Sequence, residues 1–391
     1  MKKKTLIRLL IISAVFLLLV GAVAIAIVAT NSAAKSAELV ELEIAGANLS
    51  FSDSVYIKYA VSYANVPAED ISLLVWTEPQ SSYVKGTETV ALSTVGTETV
   101  DGVECLIFNY TGLAAKQMTD NVYAVAYAKV GGVECYSAPK KYSILQYAYN
   151  KMGKTGTKTE DAKLITLLED MLNYGALAQK YTNYKTDTLA TDSFSQIKLA
   201  GGTLSDGFNF GLYKVGTKVN VTAPSSSDGM TFVGWRNSTG NLVSTSTSYT
   251  VTVGASNEVY SAVYTGAAGK NLEYVPGLDG SSYSVIGIGS CTDANVKIPA
   301  TIGEKAVTQI SDGAFKSCTG IRSVSITKEI TYIGAEVFSG CTGLTSIRYA
   351  GSESGWNKIT KDANWRNGMG KITISCEESD ADWELGGVPL G

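Results

Sequence analysis

Cysteine has the widest range of possible chemistry in this sequence, and two cysteines return at a fixed spacing. Cys318 lies in the segment FKSCTGIRSVSI, and Cys341 lies 23 residues later in FSGCTGLTSIRY. A thiol in such a repeat could be half of a disulfide, a metal ligand, a nucleophile or a small buried residue. The sequence contains no histidine, so neither thiol has an imidazole base. Every catalytic triad or HExxH zinc site that needs imidazole is excluded.

Carboxylates offer another route to chemistry, and the sequence gives them no clear site. The segment EESDADWE, from Glu377 to Glu384, lacks the glycine and the distal glutamate of an EF-hand calcium loop, so a solvated tail is favoured. No CxxC pair is present, so zinc would need ligands from scattered cysteines. None of the 36 acidic residues stands out as half of a glycosidase pair. We expect no catalytic residue, no metal and no cofactor, and predict that the protein is not an enzyme.

The two cysteines belong to a sequence repeat. Residues 307–329, aligned with residues 330–352, keep phenylalanine, cysteine, threonine and glycine at matching positions, with a shared apolar pattern. A period of about 20 to 29 residues with one short strand per turn is typical of a leucine-rich-repeat solenoid. Equivalent side chains of stacked turns point in parallel about 4.8 Å apart, whereas a disulfide needs converging bonds. We therefore expect Cys318 and Cys341 to be buried thiols.

The segments on either side of the repeat predict irregular turns that close the solenoid. Upstream, a Cys-Thr at Cys291 and a Val-x-Ile at Val296 predict one further turn. Downstream, Trp356 and Trp365 are expected to cover the last complete turn, and the ITI segment is expected to form a final strand. Such closing turns are needed because two repeats cannot bury a solenoid core alone.

Two regions carry family resemblances. The motif IGxxxFxxCxxLxxI resembles the BspA-like (Treponema-type) leucine-rich repeats of bacterial surface proteins, over residues 271–376. The segments GGT, VGTKVNVTA, FVGW and YTVTVGASNEVYSAVY resemble a divergent internalin-B B-repeat, a small β-grasp-like module, over residues 193–265. The resemblances imply a surface protein whose modules space the chain or bind partners. Trp235, in the FVGW segment, is expected to fill the core of the B-repeat module.

The N-terminus predicts export. Four positive charges within the first eight residues precede an apolar run from Leu9 to Ala29, which is long enough for a helix to span the roughly 30 Å of bilayer hydrocarbon. Residues 1–37 are therefore a signal peptide or an N-terminal transmembrane anchor, and either places the rest of the chain in the extracellular space or at the cell surface. A membrane is expected to contact only this segment. The net charge of −4 disfavours nucleic acid as a partner.

The remaining segments complete a multidomain, mainly β architecture. Short alternating runs, with hairpin signals at Asp101 and Gly131, predict a β-sandwich over residues 38–142. Residues 143–185 change to a helical period and are predicted to dock on the sandwich. The side chains predicted to share the docking face are Leu164, Leu167, Leu168, Met171, Leu172 and Leu177.

Polar or glycine-rich segments are expected to separate these modules. Linkers are predicted at Thr186–Thr191 and Gly266–Lys270, and an acidic tail at residues 377–391. In the sandwich, Cys105 and Cys135 occupy matching GVEC contexts on two predicted strands. They form a disulfide or remain two independent core cysteines, and the sequence leaves both alternatives open.

These features predict adhesion or ligand recognition through the solenoid, without catalysis. The partner would be a protein or a glycan on a host or neighbouring cell surface. The candidate contact residues, which are the outward positions on or beside two repeat strands, are Arg322, Ser323, Ser325, Thr345, Ser346 and Arg348. One alternative is a carbohydrate-binding or anchoring module that uses the tyrosine-rich sandwich. Another is that the short repeat only spaces the chain, because a stable protein interface needs a large area.

Overall fold

The computed structural model describes residues 24–27, 39–51 and 54–378. The protein is mainly β, with several sheets and a solenoid of about 4 turns around residues 282–376. Apart from the strand Ala24–Ile27, the predicted signal peptide or anchor at residues 1–37 lies outside the described residues, as does the acidic tail beyond Glu378. Within the described residues, no helix combines the length and the apolar character needed to cross a bilayer.

The N-terminal strands are β1 (Ala24–Ile27), β2 (Leu39–Phe51), β3 (Val55–Ala64), β4 (Ser72–Trp76), β5 (Val90–Leu92), β6 (Gly96–Val100), β7 (Val103–Tyr110), β8 (Val122–Val130), β9 (Val133–Tyr136) and β10 (Lys140–Tyr142). Strands β2 to β10 form the sandwich predicted over residues 38–142, and β1, which lies within the segment predicted as a signal peptide or anchor, pairs with β2 at the edge of one sheet. One sheet has the order β1-β2-β3-β7-β6, and the other has the order β10-β8-β4-β5 with β9 beside β8. Side chains from both sheets, such as Ile57 and Val122, fill one apolar core.

The predicted hairpin signals lie at real hairpins. Strands β6 and β7 are joined by Asp101 and Gly102, and strands β8 and β9 by Gly131 and Gly132. All four residues have positive φ. A two-residue turn of this kind requires positive φ at both positions, which explains the Asp-Gly and Gly-Gly pairs.

Two helices, α1 (Ile144–Lys151) and α2 (Ala162–Thr182), pack into the sandwich core. The carboxylate of Asp161 caps α2 by accepting hydrogen bonds from the backbone N–H groups of Lys163 and Leu164. Leu168 and Leu172 are buried as predicted. The predicted docking face was too wide, because Leu167 and Leu177 are 42% and 63% exposed.

The next strands form the B-repeat-like module. They are β11 (Phe194–Ala200), β12 (Thr203–Leu204), β13 (Phe210–Lys214), β14 (Lys218–Thr222), β15 (Ser226–Ser227), β16 (Met230–Arg236), β17 (Leu242–Ser244), β18 (Ser248–Thr252) and β19 (Glu258–Thr265). Strands β12, β14 and β18 form a small sheet, and β11 pairs with β13 and, in parallel, with β19. Trp235 is fully buried in the core between them, as the sequence predicts.

The C-terminal elements form the solenoid. They are β20 (Glu273–Pro276), β21 (Ser282–Gly287), β22 (Asn295–Lys297), β23 (Thr301–Ile302), β24 (Lys305–Ile310), β25 (Ser323–Ile326), β26 (Tyr332–Ile333), β27 (Ser346–Tyr349), α3 (Glu353–Lys358), β28 (Thr360–Lys361) and β29 (Thr373–Cys376). Strands β21, β24, β26 and β28 pair in parallel along one side, and β22, β25, β27 and β29 along the other. Each turn of the solenoid contributes one strand to each side.

The B-repeat module and the solenoid share one sheet and one core. Strand β19 pairs with β20 through Tyr264 and Tyr274, so the sheet continues from one module into the other. A single apolar cluster extends from Ile197 to Trp365. The predicted linker at Gly266–Lys270 contains a short 3-10 turn, Ala267–Gly269, and connects the two paired strands β19 and β20.

Candidate ligand-contact surface

The repeat register positions the candidate residues. Ser323 pairs with Ser346, and Val324 pairs with Ile347, across the parallel strands β25 and β27. The rings of Phe315 and Phe338 stack with centroids 5.6 Å apart and an interplanar angle of 6°. The 23-residue period is therefore one turn of the solenoid, as the sequence predicts.

The irregular turns at both ends of the repeat are also present. Strand β22, around Val296, pairs with β25, and strand β29 pairs with β27. Trp365 packs edge-on against Phe338 at 6.0 Å, and Trp356 packs against Tyr349 at 5.6 Å. Both tryptophans are 8% exposed. They cover the last turn as predicted.

The repeated cysteines are thiols of the solenoid interior. Cys341 is 1% exposed, and its Sγ lies 2.9 Å from the carbonyl oxygen of Phe315 in the preceding turn. Cys318 is half-buried and packs against the same core, so it is less enclosed than predicted. Burial raises the pKa of Cys341 to about 11 and raises the pKa of Cys318 as well. Both thiols are therefore protonated at neutral pH, which makes them weak nucleophiles and weak metal ligands.

In the sandwich, Cys105 and Cys135 are two independent core cysteines. Both are buried free thiols, and they belong to separate apolar clusters. The open alternative between a disulfide and separate thiols is thus resolved in favour of separate thiols. Among the described residues, no group of three or more His, Cys, Asp or Glu side chains could hold a metal ion.

The candidate contact residues lie on the outer side of the solenoid. On strand β25, Ser323 and Ser325 point away from the core, whereas Val324 and Ile326 are buried. Ser346 and Arg348 occupy the matching positions on β27. In each case the alternation along the strand turns every second side chain outward. We name this surface, formed by the outward side chains of β22, β25, β27 and β29, the strand face.

Local hydrogen bonds hold several of these side chains in place. Ser323 Oγ lies 2.7 Å from Asn295 Oδ1, and Thr345 Oγ1 donates to the carbonyl of Arg322 at 3.1 Å. The Arg322 guanidinium donates to the carbonyl of Thr319 at 3.3 Å. These bonds leave hydroxyl lone pairs and most guanidinium donors available to a partner.

Cationic and anionic side chains lie together beside the outward serines. Arg348 has a 67% exposed side chain and lies 3.9 Å from Glu377, a distance and exposure at which an ion pair contributes little. Lys297 is exposed on β22, and Lys328 lies 3.8 Å from Glu378. The strand face can therefore exchange hydrogen bonds with a partner, and two of the cations beside it lie next to Glu377 and Glu378.

The sequence prediction missed the outer rows of the strand face. Asn295 and Lys297 extend it on one side, and Thr373 and Ser375 extend it on the other. These residues lie on irregular turns that do not keep the sequence motif of the repeat. The signals that could have found them were the Val-x-Ile and Ile-Thr-Ile patterns, in which the residues between the apolar positions point outward.

The tyrosines of the sandwich lie mainly in its interior. Tyr59, Tyr110, Tyr123 and Tyr127 are buried. The other tyrosines in the described part of residues 39–142 are partly covered by the protein. These half-buried residues are Tyr56, Tyr63, Tyr83, Tyr136 and Tyr142.

Comparisons with known proteins agree with these architectures. Residues 282–377 match the family model of the BspA type leucine rich repeat region, and residues 197–268 match the divergent InlB B-repeat domain. Among solved structures, the chain is similar to a leucine rich cell surface protein from Faecalibacterium prausnitzii A2-165, with 18% identity and a TM-score of 0.23. That similarity covers 29% of this chain and 32% of that protein, and nothing below rests on it. No curated protein matches the chain.

The fold and the two family matches define the class of this protein. It is a multidomain, mainly β repeat protein. It carries a BspA-type leucine-rich repeat region and, directly joined to it, a divergent internalin-B B-repeat module.

Proposed function

We propose that this chain is an exported bacterial cell-surface protein that recognises a protein ligand through the strand face, without catalysing a reaction. The proposal is carried by one observation, which is that the outward positions of four adjacent strands are hydroxyl, amide and cationic side chains on a rigid core. The charged and apolar N-terminal sequence supports export. Ligand recognition by a solenoid surface is a common use of repeat architectures.

The size of the strand face limits the ligand. Adjacent strands lie about 4.8 Å apart and contribute about two outward residues each, so the face measures roughly 15 Å by 10 Å. A standard protein interface buries roughly 800 Å² on each partner. The ligand must therefore also contact the turns that precede the strands, where Arg322 and Thr345 lie. A protruding loop of a protein that carries carboxylates for Arg322 and Arg348 fits these dimensions.

The test is binding of the full-length chain to arrays of extracellular proteins and glycans. We expect at least one protein to bind, and we expect Arg322→Glu combined with Arg348→Glu to weaken that binding by about tenfold or more, because two attractive charges become repulsive. The matched control combines Lys163→Glu with Lys218→Glu, which makes the same charge change at exposed positions on α2 and β14.

The outcomes separate the alternatives. Protein binding that is lost with the arginine pair and kept with the lysine pair supports the strand face. Binding that both double variants leave unchanged would mean that the repeat only spaces the chain. Binding to sugars alone, with no effect of the arginines, would support the carbohydrate-binding alternative.

A further inference from the structure

An open cleft lies where the three folded parts of the chain meet. Its volume is about 380 Å³, which lies within the range of roughly 300 to 1,000 Å³ typical of small-molecule sites. One wall is α1, the floor is formed by strands β11 and β13 of the B-repeat module, and Leu278 closes one end from the first loop of the solenoid. Asn209 Nδ2 donates to the Leu278 carbonyl at 2.6 Å and fixes that end. Sites at domain junctions are a common location for small ligands.

The polar floor of the cleft follows from the strand alternation of β11. Ile197 and Leu199 point into the B-repeat core, so Gln196 and Lys198 point to the opposite side, toward α1. On the neighbouring strand, Phe210 pairs with Lys198 and contributes a ring to the same side. This side of β11 is therefore polar at the cleft. At the start of the same strand, Phe194 packs into the apolar core of the sandwich.

Gln196 is the most unusual of these residues. It is only 8% exposed, and no described residue makes a hydrogen bond with its side-chain carboxamide. The carboxamide opens onto the cleft and is not among the fully enclosed polar atoms that lack a partner, so its donors and acceptor are available to whatever enters the cleft. Gln146 and Asn150 lie one turn apart on α1 and present two more carboxamides from the wall.

The charge of the cleft is a single cation. Among the residues that line it, only Lys198 is charged, and no described carboxylate forms an ion pair with it. The lining thus combines one ammonium, several amides and the apolar surfaces of Phe210 and Leu278. That combination matches a ligand with one carboxylate, several hydroxyls and one apolar face.

We propose that this cleft binds an acidic sugar unit of a glycan. The sugar carboxylate pairs with Lys198 Nζ, its hydroxyls exchange hydrogen bonds with the carboxamides of Gln196, Gln146 and Asn150, and its apolar face packs on Phe210. The site is distinct from the strand face and from the sandwich surface, and it does not depend on the function proposed for the strand face. It requires the sandwich helix, the B-repeat strands and the solenoid loop together.

The experiment measures binding of the purified full-length chain to three saccharides by saturation-transfer NMR and calorimetry. The probes are sialyllactose, a trimer of galacturonic acid, and lactose as the neutral control. We expect one or both acidic saccharides to bind at least about tenfold more tightly than lactose, because a hydrogen bond to a charged group is the strongest contact available. The comparison of the two acidic probes distinguishes a sialic acid from a uronic acid.

Two variants locate the site. Lys198→Gln removes the charge at nearly constant volume and is expected to weaken binding of the acidic saccharide by about tenfold or more. Lys218→Gln is the matched control on an exposed strand of the same module and should leave binding unchanged. Gln196→Leu keeps the side-chain volume, removes the amide and should also weaken binding. Thermal unfolding of each variant establishes that it is folded.

The proposal is overturned if no acidic saccharide binds, if lactose binds as tightly, or if Lys198→Gln binds as the unaltered chain does. A triglutamate peptide that binds as tightly as the acidic sugars would also overturn it, because the sugar hydroxyls would then contribute nothing. If Lys198→Gln does not fold, the proposal is tested by measuring how the affinity of the unaltered chain for the acidic sugar changes with salt concentration. Affinity for the acidic sugar should fall as salt rises, and a salt-independent affinity would contradict the pairing with Lys198.

Discussion

The ammonium of Lys141 lies 2.8 Å from the carboxylate of Asp206, and this ion pair joins the sandwich to the B-repeat module. The Lys141 side chain is 2% exposed and also donates to the carbonyl of Phe210. Its Nζ lies 4.8 Å and 4.6 Å from the ring centroids of Phe208 and Phe210. Burial lowers the pKa of Lys141, and the Asp206 carboxylate opposes that shift. The contact is one of several that join these two parts of the chain, together with the hydrogen bond from Asn257 Nδ2 to the carbonyl of Lys154.

Removal of the lysine charge should loosen this junction. We expect Lys141→Met to reduce the free energy of the first unfolding transition by about 3 kcal/mol, because it leaves the Asp206 carboxylate without its buried partner. Guanidinium unfolding followed by circular dichroism measures the change. The control is Lys58→Met at the more exposed pair of Lys58 and Glu98, where the loss should stay below about 1 kcal/mol. Equal losses in the two variants would contradict a special role for the buried pair.

The free energy of unfolding should fall at high pH because the buried thiol of Cys341 loses its proton more readily in the unfolded chain. Burial raises the pKa of this thiol from 9.0 to about 11 in the folded chain, so the unfolded chain loses the proton first as the pH rises. The contribution of the protonated thiol to the free energy of unfolding is therefore complete below about pH 9. It is lost as the pH rises toward 11, which lowers the free energy of unfolding by roughly 2 kcal/mol. The measurement is the difference in unfolding free energy between the unaltered chain and Cys341→Ala at pH 8 and pH 11.

The pH control for Cys341 is a neighbour that does not titrate. Leu344→Ala removes apolar volume from the same turn, and Leu344 is 4% exposed. Its stability difference from the unaltered chain should be the same at pH 8 and pH 11. If the Cys341→Ala difference is equally constant, the thiol keeps an ordinary pKa in the folded chain and the burial argument is wrong.

The phenylalanine stack should carry much of the solenoid's stability. Phe338 is fully buried between Phe315 and Trp365. We expect Phe338→Ala to cost about 3 to 5 kcal/mol, because it removes a large apolar side chain and leaves a cavity. Thermal unfolding measures the loss. Tyr181→Ala on α2 is the matched control, since Tyr181 is 93% exposed, and it should shift stability by less than about 0.5 kcal/mol.

Proteolysis should distinguish the joined modules from modules on a flexible linker. Trypsin can cleave after Lys270, which is exposed in the turn between β19 and β20. The backbone there is held by bonds from Lys270 N to Ala267 O and from Asn271 N to Gly266 O, at 3.1 Å and 2.8 Å. We expect cleavage at Lys270 to be at least about tenfold slower than at Lys158, an exposed site in the loop between α1 and α2. Faster cleavage at Lys270 would show that the shared sheet opens readily.

The solenoid was predictable because its sequence repeats the same local pattern. Phe315 and Phe338 recur at the period of one turn, so a sequence comparison alone places them in register. Trp356 and Trp365 could be predicted as lids because large apolar residues after the last repeat need a surface to cover. The outward positions on β25 and β27 follow from the same alternation.

Contacts between residues of different modules could not be predicted from a sequence repeat. Lys141 and Asp206 are distant in sequence, and neither residue belongs to a motif, so their pairing depends on how the modules pack. The turn at Gly266–Lys270 has the composition of a linker, and only the pairing of Tyr264 with Tyr274 shows that it joins two strands. On α2, the helical period groups the leucines but does not fix where the neighbouring surface ends, which is why Leu177 is exposed.

The pairing of β19 with β20 also determines how the protein responds to a mechanical load. A pull on a ligand held by the solenoid would reach the B-repeat module through backbone hydrogen bonds as well as through the single covalent chain. The two modules would then move together. The orientation of the strand face relative to the B-repeat module would therefore stay the same under load.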